Sequence, residues 1–449
     1  INLGQINLAQ IELEKIISTS KQPSLIARAW KQLGNAYSRN GEFDEAEQAY
    51  TKSLEIKKEL PTLNNLVILL QKQRLQALLQ AQSSKKGEET ENYLARAKSY
   101  GSLAKEKASL ALSLSQTEQS SSSIRALIEW GELSSTGLST RQIERGRKLL
   151  TSLSPSRNKV FLAINWSELD SEQTKYWLTQ AREIATEIGD TSAESYALLE
   201  LGLLCERLGD LEQALKYATT AQLKAQSTFT FDSLYRSQWL AGRSHKKWGN
   251  KKIALANYRN TLTSLDAFNH SFTTISVERR SDFGTEIEPI YREMLDLLLD
   301  NPRPARSDLE ESLFVFEKLK LAQLQNYFGS NCLEIDRNSP PLEETLAKEN
   351  AVRLNSIVQD EEVHFILQLP DGRLRHSKAE LGKQEITQIA TDWYKNLRQT
   401  NTNRFKLQAE ELYDLIIRPF SKELARIDPK TIIFVHDGIL RNLPMAALY

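Results

Sequence analysis

Three glycine–glycine–alanine triplets with a single spacing do most to limit what this chain can fold into. Gly34, Gly41 and Ala46 stand 7 and then 5 residues apart, as do Gly202, Gly209 and Ala214, and Gly242, Gly249 and Ala254. Each triplet lies within an apolar period of about 3.6 residues, so each spans two short helices joined by a turn. The first and third members are small where such helices approach closely. The middle glycine, within Asn40-Gly41, Gly209-Asp210 or Gly249-Asn250, is the residue type able to take φ > 0 at a helix end. One triplet could arise by chance; three in register cannot be dismissed.

Around the first triplet, residues 27–58 read ARAWKQLGNAYSRNGEFDEAEQAYTKSLEIKK. Trp30, Leu33, Gly34, Tyr37, Gly41, Ala46 and Tyr50 follow the spacing of a tetratricopeptide (TPR) repeat, in which the aromatic and leucine positions fill the space around the small ones. Weaker helical pairs lie between the clear copies, at 62–82 with 89–115, 121–135 with 139–152 and 156–167 with 171–188. Polar breaks at 83–89 and 115–123 separate them. The pattern predicts a TPR-like α-solenoid over 1–270, since an array tolerates irregular units whose neighbours still stack.

Composition agrees with a helical protein: among 449 residues there are only 18 Gly and 12 Pro. Lys plus Arg (58) equals Asp plus Glu (58), which gives no global pull toward nucleic acid or an anionic membrane. No apolar run approaches the roughly 18 residues of a membrane span. Two distant cysteines, Cys205 and Cys332, imply no disulfide framework and favour a reducing, cytoplasmic setting. The opening INLGQINLAQIELEKI has no signal-peptide layout and reads as the middle of a helix, so the chain is expected to be cut at both ends.

The period changes further along. EIEPIYREMLDLLLD and LEESLFVFEKLKLAQLQNYFG are helical, the second apolar through Phe314, Leu321, Leu324 and Phe328. Over 271–331 these helices are expected to close the array. Strand-like runs at 356–358 and 363–369 follow, with turn residues at 360–361 and 370–372. Helical segments at 384–399 and 407–420 lead to TIIFV, read as a buried strand. Strand, helix, helix, strand opens an α/β domain.

This order of motifs resembles the TPR–CHAT proteins, common in cyanobacteria, whose CHAT domain belongs to the caspase and separase group of cysteine proteases. The resemblance rests on PIYREMLDLLL, VFEKLKLAQLQNYF, LQLPDGRLRH, LYDLIIRPF and FVHDGILRNLPMAAL, with 437–448 the most specific run. It implies that 345–449 is the leading, incomplete part of a caspase-like fold. The family's catalytic His and Cys motifs follow the segment with which this sequence ends, and neither is present, so no catalytic residue is assigned.

Several other residues invite chemistry. His436 and Cys332 are a conceivable dyad, but no activating pattern surrounds the cysteine. Cys205 replaces the core Tyr37 of the first repeat and reads as a small core residue. Arg441, between two leucines, must reach solvent or pair with an acid, Asp437 being nearest, with substrate recognition as the alternative. His364 and His376 are expected to point outward on a hairpin, without a second ligand pair for zinc. No Gly-rich phosphate loop is present, and no cofactor is implied.

The remaining candidates are partner-binding residues on the first helix of each clear repeat. Arg28, Lys31, Asn35 and Arg39 share one face, as do Arg236, Trp239, Arg243 and Lys246. Such stripes resemble TPR grooves that bind peptides bearing acidic or C-terminal carboxylate groups. The sequence therefore points to helical repeats that bind a protein or peptide partner and control a caspase-like protease acting on a protein substrate. The alternative is a non-catalytic scaffold. Nucleic-acid binding through Lys246, Lys247, Lys251 and Lys252 is disfavoured by the neutral charge.

Overall fold

The computed structural model describes residues 3–84, 87–270, 277–329, 342–398, 403 and 405–448. The chain forms two compact units, Ile1–Phe283 with Asn326–Asn331, and Gly284–Gln325 with Cys332–Tyr449.

The first unit is a TPR-like helical array. After the helix Leu3–Thr19 come helical pairs Pro23–Asn40 with Phe43–Ile56, Leu60–Ser83 with Glu88–Leu114, and Ser121–Leu133 with Thr140–Ser152. Arg157–Leu169 with Thr174–Glu187, Thr191–Arg207 with Leu211–Ser227, and Phe231–Lys247 with Lys251–His270 complete it. The weaker pairs thus fall where the sequence placed them. Their turns are written in dipeptides. Gly209, at φ 80°, ends one helix, and the Asp210 amide donates to the Cys205 carbonyl at 2.9 Å. The Asp210 carboxylate then accepts from the Gln213 amide, 3.1 Å away, and caps the next helix.

Close approach explains the small residues. A Cβ on Gly34 would lie 2.6 Å from the Tyr50 ring, and one on Gly202 2.8 Å from Leu240. Ala214, Ala218, Ala221 and Ala225 give the helix Leu211–Ser227 a fully buried face of methyl groups. Gly146, which belongs to none of the three triplets, serves the irregular repeats in the same way. Its missing Cβ makes room for Trp166, which is wholly buried. Cys205 is buried at 9% exposure, as expected of a core substitute for tyrosine.

The second unit carries a four-stranded mixed sheet: β1 Ala351–Val358, β2 Val363–Gln368, β3 Leu374–Ala379 and β4 Thr431–Val435, in the order β3-β2-β1-β4. Two antiparallel hairpin pairings join β1 to β2 and β2 to β3, while β4 lies parallel to β1. β1 therefore starts at Ala351 and not near 356. The parallel return needs a crossover, which Lys383–Leu397, Phe405–Ile416 and Ser421–Ile427 supply. The helix Phe405–Ile416 stops before Pro419, which sits in a 3₁₀ turn at Arg418–Phe420.

Alternation along the strands sorts the faces. Val352, Leu354, Phe365 and Leu367 pack with Ile386, Trp393, Leu412 and Ile416 in one core. On the other face Arg353 pairs with Glu317, at 2.7 Å, from the helix Arg306–Phe328. Residues 284–325, expected to close the array, are part of this second unit. That helix buries Leu309, Leu313, Val315, Phe316 and Leu319 and leaves Phe314 and Leu324 more than half exposed, so its expected apolar arc is shifted.

Candidate functional site

Of the two predicted stripes, the first opens on a cleft. Asn35 and Arg39, at the end of Pro23–Asn40, line a cavity of about 550 Å³. Ser38, Tyr50, Pro61, Asn64, Asn65, Ile68, Lys72, Ser121, Ser122, Arg125 and Asn158 line the rest. Three cations from three helices face it, and no carboxylate is among the lining residues. Arg28 and Lys31 lie on the same helix but outside the lining, exposed and half-buried respectively.

Amide side chains hold the cleft in shape. The Asn35 Oδ1 accepts from the Tyr50 hydroxyl at 2.7 Å and from Asn65 Nδ2 at 2.8 Å, so Asn35 ties its own repeat to the next. Asn64, 1% exposed, donates from Nδ2 to the Ser122 carbonyl at 2.8 Å. Its Oδ1 is buried and has no partner among the described residues. Burial pushes the Tyr50 phenol far up, so it remains a neutral donor. One turn from Arg125, the buried Glu129 accepts from Gln71 at 2.9 Å. Burial, and then Glu132, push its carboxyl up to about 7.

The second stripe is engaged internally. The Arg243 guanidinium donates to both Glu206 oxygens at 2.9 and 2.6 Å and lies 4.1 Å over the Trp239 ring. Lys247 adds a third cationic contact to Glu206 at 3.3 Å, and Arg236 reaches Glu200 at 3.8 Å. Burial would raise the Glu206 carboxyl, but Arg243 holds it below the usual range. Lys246 is half-buried on the same helix. Counting cations on one helix missed the carboxylates of the preceding repeat. Asn64, Asn65, Lys72 and Arg125 were missed because the registers of the irregular repeats were not fixed. Ser121 and Ser122 belong to the polar break at 115–123, yet a serine run before IRALIEW is also a helix-start signal.

In the second unit the Asp437 carboxylate, 1% exposed, is a hub. It accepts from Arg292, from the Val358 amide at 3.2 Å, from the Gly438 amide at 2.9 Å and from Arg441 at 3.4 Å. Burial would raise it, but the Arg292 hydrogen bonds and charge hold it below the usual carboxylate range. Arg441 also donates to the His436 carbonyl at 3.1 Å and to Gln323 at 2.6 Å. Its pairing with Asp437 is therefore real but secondary to Arg292, which no sequence pattern marked.

His436 is buried, with Nδ1 2.8 Å from the Ser356 hydroxyl. Burial, and then Lys320, push its imidazole down to about 4, so it is neutral at pH 7. Cys332, its imagined partner, lies outside the described residues. His364, expected to point outward, is fully buried. Its Nδ1 is 3.0 Å from His376 Nε2 and its Nε2 is 2.9 Å from Glu362, which Lys378 holds at 2.8 Å.

The tetratricopeptide repeat model matches residues 27–60. No curated protein matches the chain. Among solved structures, the chain is similar to yeast Tom70 at 12% identity and a TM-score of 0.26, over 72% of this chain and 83% of that one. No described helix is long and apolar enough to cross a membrane.

Proposed function

We propose that this chain is the sensing arm and leading part of a TPR–CHAT regulatory protein. The helical array binds a protein or peptide partner, and partner binding controls a caspase-like cysteine protease domain whose catalytic His and Cys lie outside this sequence. The observation that carries the binding half is the cleft between the first repeats, cationic, rich in amides and unopposed by lining carboxylates. An acidic or C-terminal carboxylate group on an extended peptide suits those donors. The protease half is supported by the resemblance of residues 437–448 to the CHAT family.

The two halves are tested separately. Proximity cross-linking of the wild-type chain and of an Arg39→Gln/Arg125→Gln variant, read by mass spectrometry, should show partners lost only from the variant. Equal capture by both would refute the cleft as the binding site. For the protease half, the gene downstream of Tyr449 should encode a His and a Cys in the family motifs, and substitution of that Cys should abolish cleavage of a protein substrate. A gene without the pair would instead make the protein a TPR scaffold with a CHAT-like interaction module.

A further inference from the structure

Far from the cleft, two neighbouring turns of the array bring large apolar side chains to the surface. The helices Thr191–Arg207 and Phe231–Lys247 are followed by Leu208-Gly209 and Trp248-Gly249. Leu208 is 72% exposed and Trp248 42%, while Ile253, in the first turn of the next helix, is 49% exposed. Lys247 reaches Glu206 at 3.3 Å, so the two turns lie side by side. The His245 ring meets the Trp248 ring edge-on, 5.7 Å between centroids, and holds it at the tip. Single exposed apolar residues are ordinary; a group of them on adjacent turns marks a contact surface.

The charge around that group is positive. Arg207, Lys247 and Lys252 are exposed there, with Lys246 and Lys251 half-buried beside them. Of the nearby acids, Glu206 already faces Arg243, and Asp210 accepts from the Gln213 amide at 3.1 Å; Glu212 is exposed. The fold does not account for Lys251 and Lys252. They open the helix Lys251–His270, whose first turn holds no acid, whereas the preceding repeat has Glu212 in the matching turn. A lysine at a helix start opposes the helix dipole, at about 0.3–1 kcal/mol. Cations kept where folding disfavours them are explained by something outside the chain.

We propose that this edge of the array docks on an anionic lipid bilayer. Leu208, Trp248 and Ile253 enter the headgroup boundary, and Arg207 and the lysines meet the lipid phosphates and carboxylates. Tryptophan with lysines on either side suits that boundary, where one layer is apolar and the next charged. A nucleic acid would satisfy the cations but has no place for Leu208 and Ile253; a bilayer takes both. Surface charges act over about 10 Å at moderate salt, so the zero net charge of the whole chain does not cancel a local group of cations. The inference goes beyond the partner-binding reading and does not depend on it.

The test is flotation of the 449-residue chain with phosphatidylcholine vesicles, with and without phosphatidylserine. The chain should bind the phosphatidylserine vesicles about tenfold or more tighter than the others and be released by high salt. Leu208→Ser and Trp248→Ser, both at exposed side chains, should each weaken that binding about threefold or more. Lys252→Glu should weaken it about fivefold or more and at the same time raise the unfolding midpoint, because it returns an acid to the helix start. That rise separates lost binding from lost folding. No flotation, or equal flotation with both vesicles, overturns the inference, as does phosphatidylserine binding that survives the three substitutions. Tighter binding to single-stranded RNA than to the vesicles, weakened by Lys252→Glu but not by Leu208→Ser, also overturns it and makes the edge a nucleic-acid surface.

Discussion

Asp437→Asn is the substitution for which the structure gives the clearest expectation. The change is nearly isosteric, but Val358 and Gly438 donate to different carboxylate oxygens, so an acceptor remains for only one of those amides, and the charge opposite Arg292 is removed. Breaking a buried ion pair costs about 3–5 kcal/mol, because the surviving charge is left unopposed. Arg292 keeps Glu288 at 2.8 Å and is 20% exposed, which places the expected loss at the lower end. A loss of about 3 kcal/mol lowers a melting point by about 6–12 °C in a unit of 150–250 residues. Differential scanning calorimetry should show that loss in one transition only. Arg441→Gln is the control. Its contact to Asp437 is 3.4 Å and the arginine is 41% exposed, so the expected loss is about 0–1 kcal/mol. The pH dependence follows from the depressed carboxyl of Asp437. Its contribution is present above the ordinary carboxylate range and is lost as pH falls through the folded value. The wild type should therefore lose part of its advantage over Asp437→Asn below about pH 4. A loss under about 1 kcal/mol at pH 7, or an equal loss from Arg441→Gln, would refute the assignment of Asp437 as the hub.

Other consequences are simpler to state. Gly34→Ala, which drives a methyl to 2.6 Å from the Tyr50 ring, should cost about 1–3 kcal/mol in urea unfolding. Gly242→Ala, at 3.2 Å from Tyr258, should cost less. Glu129 works in the opposite sense to Asp437: with its carboxyl raised to about 7, it destabilises the fold increasingly as pH rises from the ordinary carboxylate range through 7. Glu129→Gln should thus stabilise the chain at pH 8 by up to about 3 kcal/mol and change little at pH 4, read from unfolding midpoints. Arg243→Ala should lower stability by about 1–3 kcal/mol because Glu206 is left half-buried, whereas Arg39→Ala, at an exposed side chain without an ion pair among the described residues, should leave thermal unfolding within about 0.5 kcal/mol of wild type.

The array was legible because its constraint is local and repeated. Gly209-Asp210 specifies a helix end and the next helix start in two residues, and Gly34 with Tyr50 records a contact within one hairpin. The irregular pairs were placed by polar breaks, but their registers were not, and so Asn64, Asn65 and Arg125 could not be assigned to a common surface. In the second unit β2, with a fully buried run, was easy to see. β1 was only half seen, since Arg353 and Asn355 interrupt its apolar run although both are buried. Those polar groups are tolerated by tertiary partners, Glu317 for Arg353 and the Ile366 carbonyl for Asn355, that no local pattern encodes.

The same distinction separates the two predicted stripes. Both present cations at helical spacing on the first helix of a repeat, and on the sequence they are equivalent. What decides between them is the helix packed alongside. Next to Arg243 stands Glu206, two-pronged and half-buried, so that the arginine is consumed in joining one repeat to the next. Next to Arg39 stand Asn64, Asn65 and the open start of the helix Ser121–Leu133, none of which can neutralise it. A cation stripe on a solenoid is thus evidence of a binding surface only after the acidic residues of the preceding repeat have been placed. On the proposed reading it is the cleft between the first repeats, and not the Arg243 stripe, that leaves cations for a charged partner.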